Sequence, residues 1–203
     1  MKKFQKYTYL IAAFLFFSAF CSKLSADETT LGVDFGYGFL DIGADDTAQT
    51  IANLSGSTTT VSYDTGAWFG RLYGDFKIAD STYIDIGLFI TGDVSATYTL
   101  SGASANESYS ANGIDAALVL KEDNKKEGLF VKGGIHSSTV DGNANITIGG
   151  TTYAASATAS GIGYVVGGGY DYDDGSRFGI TLYSDLGGQA KADMWLIYYG
   201  FRF

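Results

Sequence analysis

The chain has 203 residues, a length that suits a single domain. It is 46% hydrophobic, with 28 glycines and no proline, and its 22 acidic against 13 basic residues give a net charge of −9. Such an acidic chain argues against a nucleic-acid partner, which rewards a basic patch, and a single cysteine excludes an intramolecular disulfide.

The first residues have the layout of a secretory signal peptide. Lysines among the first seven residues precede an apolar run over 8–20, and small and polar residues follow as far as Ala26. The run is about 12 residues long, whereas a helix needs about 20 to span a bilayer. We predict a signal peptide over 1–26 and one domain over 27–203. A lipid anchor on Cys21 is the alternative, but its preceding residue is bulkier than such sites prefer.

After the signal, segments with alternating apolar and polar or small residues predict strands that have one face in an apolar medium. In chain order they are Leu31–Phe39, Trp68–Lys77, Tyr83–Ile90, Ile114–Lys121, Leu129–His136, Gly161–Tyr172, Arg177–Tyr183 and Asp193–Phe203. We therefore predict an all-β fold, an eight-stranded antiparallel transmembrane β-barrel. A soluble lipocalin-like barrel is the alternative, but its apolar face would point inward.

The connections between these strands predict which end of the barrel faces outward. Polar stretches rich in Ser, Thr, Ala and Gly predict long loops at 43–64, 92–112 and 138–158, and the other connections are short turns. Long loops at one end and tight turns at the other are typical of outer-membrane barrels, and an even strand number puts both termini at the periplasmic end. Within the loops, Thr58–Val61 and Ile146–Ile148 are predicted to extend the wall as strands.

The last strand gives the strongest of these patterns. Large apolar side chains take alternate positions at Trp195, Ile197, Tyr199, Phe201 and Phe203. About ten tilted residues suffice for one strand to cross a bilayer. In a water-soluble protein so apolar a strand would promote aggregation, and we therefore predict that this face contacts lipid.

The polar faces of the strands predict an ion-pair plug inside the barrel. An eight-stranded interior is narrow and filled by side chains, and buried charges there need partners. The predicted plug residues are Asp34, Arg71, Asp115, Lys132, Asp171, Arg177 and Arg202. Antiparallel register predicts that Asp171 faces Arg177 across the tight turn. It also predicts Arg202 diagonal to Asp34, and Lys132 near Asp115 with Arg71 in the same plane. We interpret the plug as stabilising, not catalytic.

The chain resembles the small eight-stranded outer-membrane proteins of the OmpA/OmpX/Ail type, and in some details the accessory colonisation factor A-like proteins. The resemblance is carried by Leu31–Gly38, Tyr83–Leu88, Leu129–Ile135 and Trp195–Phe203. It implies residence in the outer membrane of a Gram-negative bacterium, with outer-membrane lipids and the barrel-assembly machinery as partners. The last strand would be the insertion signal. The implied roles are adhesion, host-defence resistance or envelope integrity.

From this we expect a monomer without cofactor or metal. Its outer loops would contact a host-surface protein or glycan, or would only shield a passive envelope protein.

An enzyme and a narrow channel are the other functions considered. The spacing of His136 and Ser138 is similar to the PagL family of lipid A deacylases, with Asp141 or Glu107 as the acid. Strand parity directs His136 inward, however, whereas a lipid-cleaving site must open to the membrane. A channel is disfavoured because the predicted ion pairs would block so narrow an interior. We therefore predict a protein that is not an enzyme.

Overall fold

The computed structural model describes residues 29–41, 44–55, 59–122, 127–188 and 192–203. The predicted signal peptide over 1–26 and the alternative lipid anchor on Cys21 lie outside these residues.

The described part of the chain is mostly β-strand. Its strands are β1 (Thr29–Leu40), β2 (Thr60–Asp64), β3 (Gly66–Ala79), β4 (Thr82–Thr91), β5 (Val94–Leu100), β6 (Ala103–Lys121), β7 (Gly128–Ile148), β8 (Thr151–Asp171), β9 (Ser176–Tyr183) and β10 (Met194–Arg202). A helix, α1 (Ala44–Ser55), follows β1, and a 3₁₀ turn over Leu186–Gly188 lies between β9 and β10. Among the described residues, no helix is long and apolar enough to span a bilayer.

Eight of the strands close into a ring. Going round it, the order is β1, β3, β4, β6, β7, β8, β9 and β10, and β10 pairs with β1 at the seam. All neighbours are antiparallel. Closure leaves the ring without an open backbone edge, as hydrocarbon surroundings require. The predicted eight-stranded antiparallel barrel is confirmed.

The remaining two strands continue members of the ring. β2 leads through Thr65 into β3, and β5 follows β4 after Gly92 and Asp93. β5 pairs with β2 on one side and with the outer part of β6 on the other. The second and third strands of the barrel are therefore long strands with one interruption each.

The predicted long loops are wrong for most of their length. Residues 43–64 include α1 and β2, residues 92–112 form the β5–β6 hairpin, and residues 138–158 are almost entirely paired strand. Over most of residues 138–158, small and polar side chains occupy both faces, and alternation gives little signal although the backbone is paired. In β5, by contrast, Val94, Ala96 and Tyr98 do alternate with hydroxylated residues. The predicted strand extension at Ile146–Ile148 is confirmed. The other predicted extension is Thr58–Val61, and β2 includes its last two residues, Thr60 and Val61.

Glycine makes the outermost turn possible. Gly149 and Gly150 connect β7 to β8 with φ angles of 57° and 84°. A two-residue type I′ hairpin turn needs positive φ at both central positions, which glycine adopts at little cost. The β7–β8 hairpin thus continues without a break from the short-turn end of the barrel to its outer tip.

Side chains along each ring strand alternate between the barrel interior and the outer surface. In β1, Asp34 is 1% exposed, whereas Phe35 is 61% exposed. Trp68, Ile162 and Trp195 also lie on the outer surface. This arrangement, with charges inside and apolar groups outside, is that of a membrane barrel and the reverse of a lipocalin.

Candidate functional site

Arg71 projects from β3 into the barrel interior and contacts aspartates from three other strands. Its Nε donates to Asp115 Oδ2 at 2.9 Å, and its Nη1 donates to Asp85 Oδ2 at 3.2 Å and to Asp34 Oδ2 at 3.5 Å. Its Nη2 contacts Asp85 and Asp115 as well. The Tyr183 hydroxyl donates to Asp115 Oδ2 at 2.8 Å. We call these five residues the central cluster.

A second set of charges lies nearer the short turns. Arg177 Nε donates to Asp171 Oδ1 at 2.8 Å, and its Nη2 donates to Asp75 Oδ2 at 3.1 Å. Lys121 Nζ lies 3.0 Å from Asp171 Oδ2 and 3.6 Å from Asp75 Oδ2. Arg202 Nη1 donates to Asp171 Oδ2 at 3.0 Å. We call these five residues the lower cluster.

Aromatic rings join the two clusters. The Tyr73 ring lies 4.9 Å from the guanidinium carbon of Arg71 and 4.8 Å from that of Arg177. Lys132 Nζ lies 5.4 Å from the centroid of the Tyr198 ring. The attraction between a cation and an aromatic face is stronger away from water than at an exposed surface. The interior is therefore one connected network of charges and rings.

The charges of this network balance. Within the described residues, the two clusters together with Lys132 contain five aspartates and five cationic side chains. Removing one partner of a buried pair leaves an uncompensated charge, which is strongly destabilising. The arrangement suits a rigid packed interior, in which the carboxylates are occupied by cations rather than positioned to act on a substrate.

The structure directs the predicted plug residues inward but alters some of their partners. Asp171 lies opposite Arg177. Arg202 lies opposite Gly32, and this places it diagonal to Asp34, yet its guanidinium donates to Asp171 and to the Tyr172 carbonyl.

Lys132 and Asp115 are not cross-strand partners in the β6–β7 ladder. Lys132 lies opposite Val119, whereas Asp115 lies opposite His136.

Three charged members of the clusters were not predicted, namely Asp75, Asp85 and Lys121. Each shares the inward parity of the predicted residues, and alternation alone could have placed it inside the barrel. Alternation does not tell which strands face each other across the interior. The contact of Asp75 on β3 with Arg177 on β9 depends on how close these two strands lie to each other across the interior.

His136 and Ser138 both contact the segment that follows β9. His136 Nε2 lies 2.8 Å from the Ser184 carbonyl oxygen, and Ser138 Oγ accepts a hydrogen bond from the Gly187 N–H at 2.8 Å. Both side chains are buried. Of the two candidate acids, Asp141 accepts from Thr158 and Glu107 accepts from Tyr109. His136 and Ser138 thus connect Ser184 and Gly187, before and within the 3₁₀ turn, to β7.

Beyond the ring the wall continues on one side only. β2, β5 and the outer parts of β6, β7 and β8 form an open five-stranded sheet, which we call the outer extension. β9 ends at Tyr183, opposite Val165. In the described part of the chain, Thr151–Thr158 of β8 therefore pairs with β7 alone. α1 packs on the inner face of the extension, where Ala48 and Ile51 form an apolar cluster with side chains of β2, β5 and β6.

An apolar patch lies on the inner face of the outer extension. Ile146, Ile148 and Tyr153 are 41%, 56% and 60% exposed, and Ile146 pairs with Tyr153. They share the inward parity of Lys132 and Val165, and so they do not belong to the lipid-facing surface. Exposed apolar groups away from lipid mark a surface that another molecule can cover.

Comparisons with solved structures find similar barrels. Ail, the attachment invasion locus protein of Yersinia pestis, in complex with the heparin analogue sucrose octasulfate, matches with 11% identity and a TM-score of 0.50 over 87% of this chain and 99% of that one. Another Ail structure has 12% identity and a TM-score of 0.49 over the same shares. A mutant porin of Rh. blastica reaches a TM-score of only 0.22, with 11% identity over those shares.

No family model matches the chain, and no curated protein matches it either. At these identities the likeness to Ail establishes the fold and nothing finer. The predicted resemblance to the OmpA/OmpX/Ail type is thus confirmed as a likeness of fold, the eight-stranded outer-membrane barrel.

Proposed function

We propose that the protein is a non-enzymatic barrel of a Gram-negative outer membrane that makes contacts outside the cell through its outer extension. The observation that carries the proposal is the open sheet beyond the ring, with an uncovered strand edge and an exposed apolar patch. Loops and edges held on a rigid scaffold are common binding surfaces. A signal peptide over 1–26 and insertion by the barrel-assembly machinery are parts of the same proposal.

The barrel interior supports this assignment indirectly. The central and lower clusters fill it with paired charges, and they leave the outer end as the surface that can meet a partner. The His136 imidazole and the Ser138 hydroxyl are engaged with Ser184 and Gly187, before and within the 3₁₀ turn. We therefore favour surface interaction over lipid A deacylation or ion conduction.

Shortening the β7–β8 hairpin tests the proposal. Val140 lies opposite Ala159, and a Gly-Gly turn joining these two residues removes the outer part of the hairpin while keeping its lower ladder. We expect the shortened protein to remain in the outer membrane and to migrate as a folded, heat-modifiable species on SDS gels. We also expect cells that carry it to lose host-cell binding or serum survival.

Asp173→Asn in a short turn at the opposite end is the control and should change neither property. Full host-cell binding and full serum survival with the shortened hairpin would favour a passive envelope protein instead.

A further inference from the structure

The exposed edge of β8 presents backbone groups in a known direction. The Ser184 N–H donates to the Tyr164 carbonyl at 2.9 Å, from the side away from β7. Backbone groups alternate in direction along a strand. The even-numbered residues of the edge, among them Ala154 and Ser156, therefore direct their N–H and C=O groups away from β7. This row of donors and acceptors is a template for an added strand.

The β8 edge lacks the features that usually block strand addition. Residues 151–160 read TTYAASATAS, with no charged residue and no proline. Natural edges are commonly protected by charges, proline, short length or a covering element. The opposite edge, β2, has such protection: it has five residues, ends on Asp64 and lies beside α1. Among the residues that the structure describes, nothing covers residues 151–158 of β8, and this is the edge open to addition.

The outer end of the molecule is strongly acidic. Within the described residues, the outer segments 41, 44–55, 59–65, 92–112, 137–163, 184–188 and 192–193 contain nine acidic residues and no basic one. The acidic residues are Asp41, Asp45, Asp46, Asp64, Asp93, Glu107, Asp141, Asp185 and Asp193. A field of one sign attracts partners of the opposite charge and repels those of the same charge.

This charge selects the occupant of the edge. A second copy would bring another acidic outer end into contact, and a sulfated glycan would add further negative charge. An extended basic polypeptide has both the backbone groups to pair with β8 and the charge to approach it. Apolar residues at alternate positions of such a strand would cover Tyr153 and Ile146 on the inner face.

We infer that the β8 edge binds an extended polypeptide of alternating basic and apolar or small residues by strand addition. This inference rests on the proposed function, because it names the partner class of the same outer extension. Main-chain pairing would supply affinity, and the acidic surroundings would supply selectivity.

Peptide binding to the purified full-length barrel in nanodiscs of neutral lipid tests the inference. The probes are a labelled peptide of alternating valine and lysine and a peptide of the same length with glutamate in place of lysine. We expect only the lysine peptide to bind, and to bind more weakly as salt is raised. Equal binding of both peptides would overturn the charge argument.

Paired substitutions at Ser156 separate strand addition from simple charge attraction. Ser156→Pro removes an edge N–H, and since this group points away from β7 the β7–β8 ladder stays intact. Ser156→Ala keeps the N–H and is the matched control. We expect the proline variant to bind the lysine peptide at least about tenfold more weakly and the alanine variant to bind it normally. Equal affinity of the two variants would overturn strand addition.

A second pair of variants tests the acidic surroundings. Asp185→Asn and Glu107→Gln remove outer charges and should each weaken binding about two- to fivefold at low salt. Asp173→Asn removes a charge at the opposite end and should have no effect. An unchanged affinity in both outer variants would contradict the role of the outer charge.

The outcomes also distinguish this inference from the proposed function. If the shortened hairpin abolishes host-cell binding while the lysine peptide does not bind, the partner class is wrong and the function stands. If the peptide binds but the shortened hairpin leaves the cellular phenotypes intact, the edge recognises such strands and the proposed function is wrong.

Discussion

Arg71 is the residue on which most of the buried charge depends. Its guanidinium group contacts Asp34, Asp85 and Asp115, and all four side chains are at most 1% exposed. A planar fork with five donors can serve several carboxylates at once, which the single ammonium group of lysine cannot do. The cost of removing this cation is therefore shared by three carboxylates that have no access to water.

Replacing Arg71 with methionine should strongly destabilise the barrel. We expect the free energy of unfolding to fall by about 3–5 kcal/mol, because buried carboxylates lose their cation. The free energy of unfolding of Arg71→Lys should lie between those of the methionine variant and the wild type. Urea unfolding in detergent micelles, followed by tryptophan fluorescence, measures the change.

Lys77→Met is the control for Arg71→Met, since the Asp80 partner of Lys77 is 86% exposed. Its effect should be below about 1 kcal/mol. Similar values for the two methionine variants would show that the central cluster contributes little to stability.

Two adjacent glycines in β7 differ in their surroundings. A Cβ on Gly134 would overlap the Ala116 carbonyl oxygen, whereas a Cβ on Gly133 would have nothing within 4 Å. We expect Gly134→Ala to cost about 1–3 kcal/mol through overpacking. Gly133→Ala should change the unfolding free energy by less than about 0.5 kcal/mol. The same urea titration compares them, and equal effects would contradict the close strand contact at Gly134.

At the scale of the element, β10 combines a structural role with a proposed targeting role. It forms ladders with both β1 and β9, and its alternate residues Trp195 to Phe201 face outward. Any lipid-facing strand has this pattern, and a recognition signal must therefore be separated experimentally from general membrane contact.

Phe201→Ser should reduce assembly in cells more than Phe178→Ser does. The two side chains are similarly exposed, at 50% and 43%, and each substitution removes similar lipid-facing area. Folding into liposomes without cellular factors should therefore be slowed equally. In cells, only Phe201→Ser should leave a large unfolded fraction by heat modifiability. Equal assembly of both variants in cells would contradict a signal in β10.

The outer elements show where sequence reasoning succeeded and where it did not. Alternation predicted the strands around Phe35 and Trp195 because one face meets lipid and the other a polar interior. It missed most of the outer extension, where Ala155 and Ser156 differ little in polarity although both lie in a regular ladder. The free edge of β8 could not be predicted from the sequence either, because it depends on where β9 ends.

At the scale of the whole molecule, charge is distributed in zones. The described interior is neutral overall, the outer segments are acidic, and the membrane-facing wall is apolar. The same inward parity predicted the plug residues, but their partners across the interior depend on barrel dimensions that no local pattern encodes. Asp75 and Arg177 lie on strands that are not neighbours in the ring.

The packed interior predicts that the protein does not conduct ions. Purified barrel in planar bilayers should give no conductance steps above the background, because ion pairs and rings occupy the interior. A bona fide porin in the same bilayers confirms that insertion can be detected. Regular conductance steps that vanish on heat unfolding would contradict the packed interior.

The seam between β1 and β10 has a consequence for biogenesis. The first and last strands of the ring must meet before it is sealed, and this contact joins residues far apart along the chain. Long-range pairing of this kind is slow, because loop-closure entropy is lost before the contact stabilises the chain. Closure of the ring at this seam should therefore be a late step in the folding of the barrel.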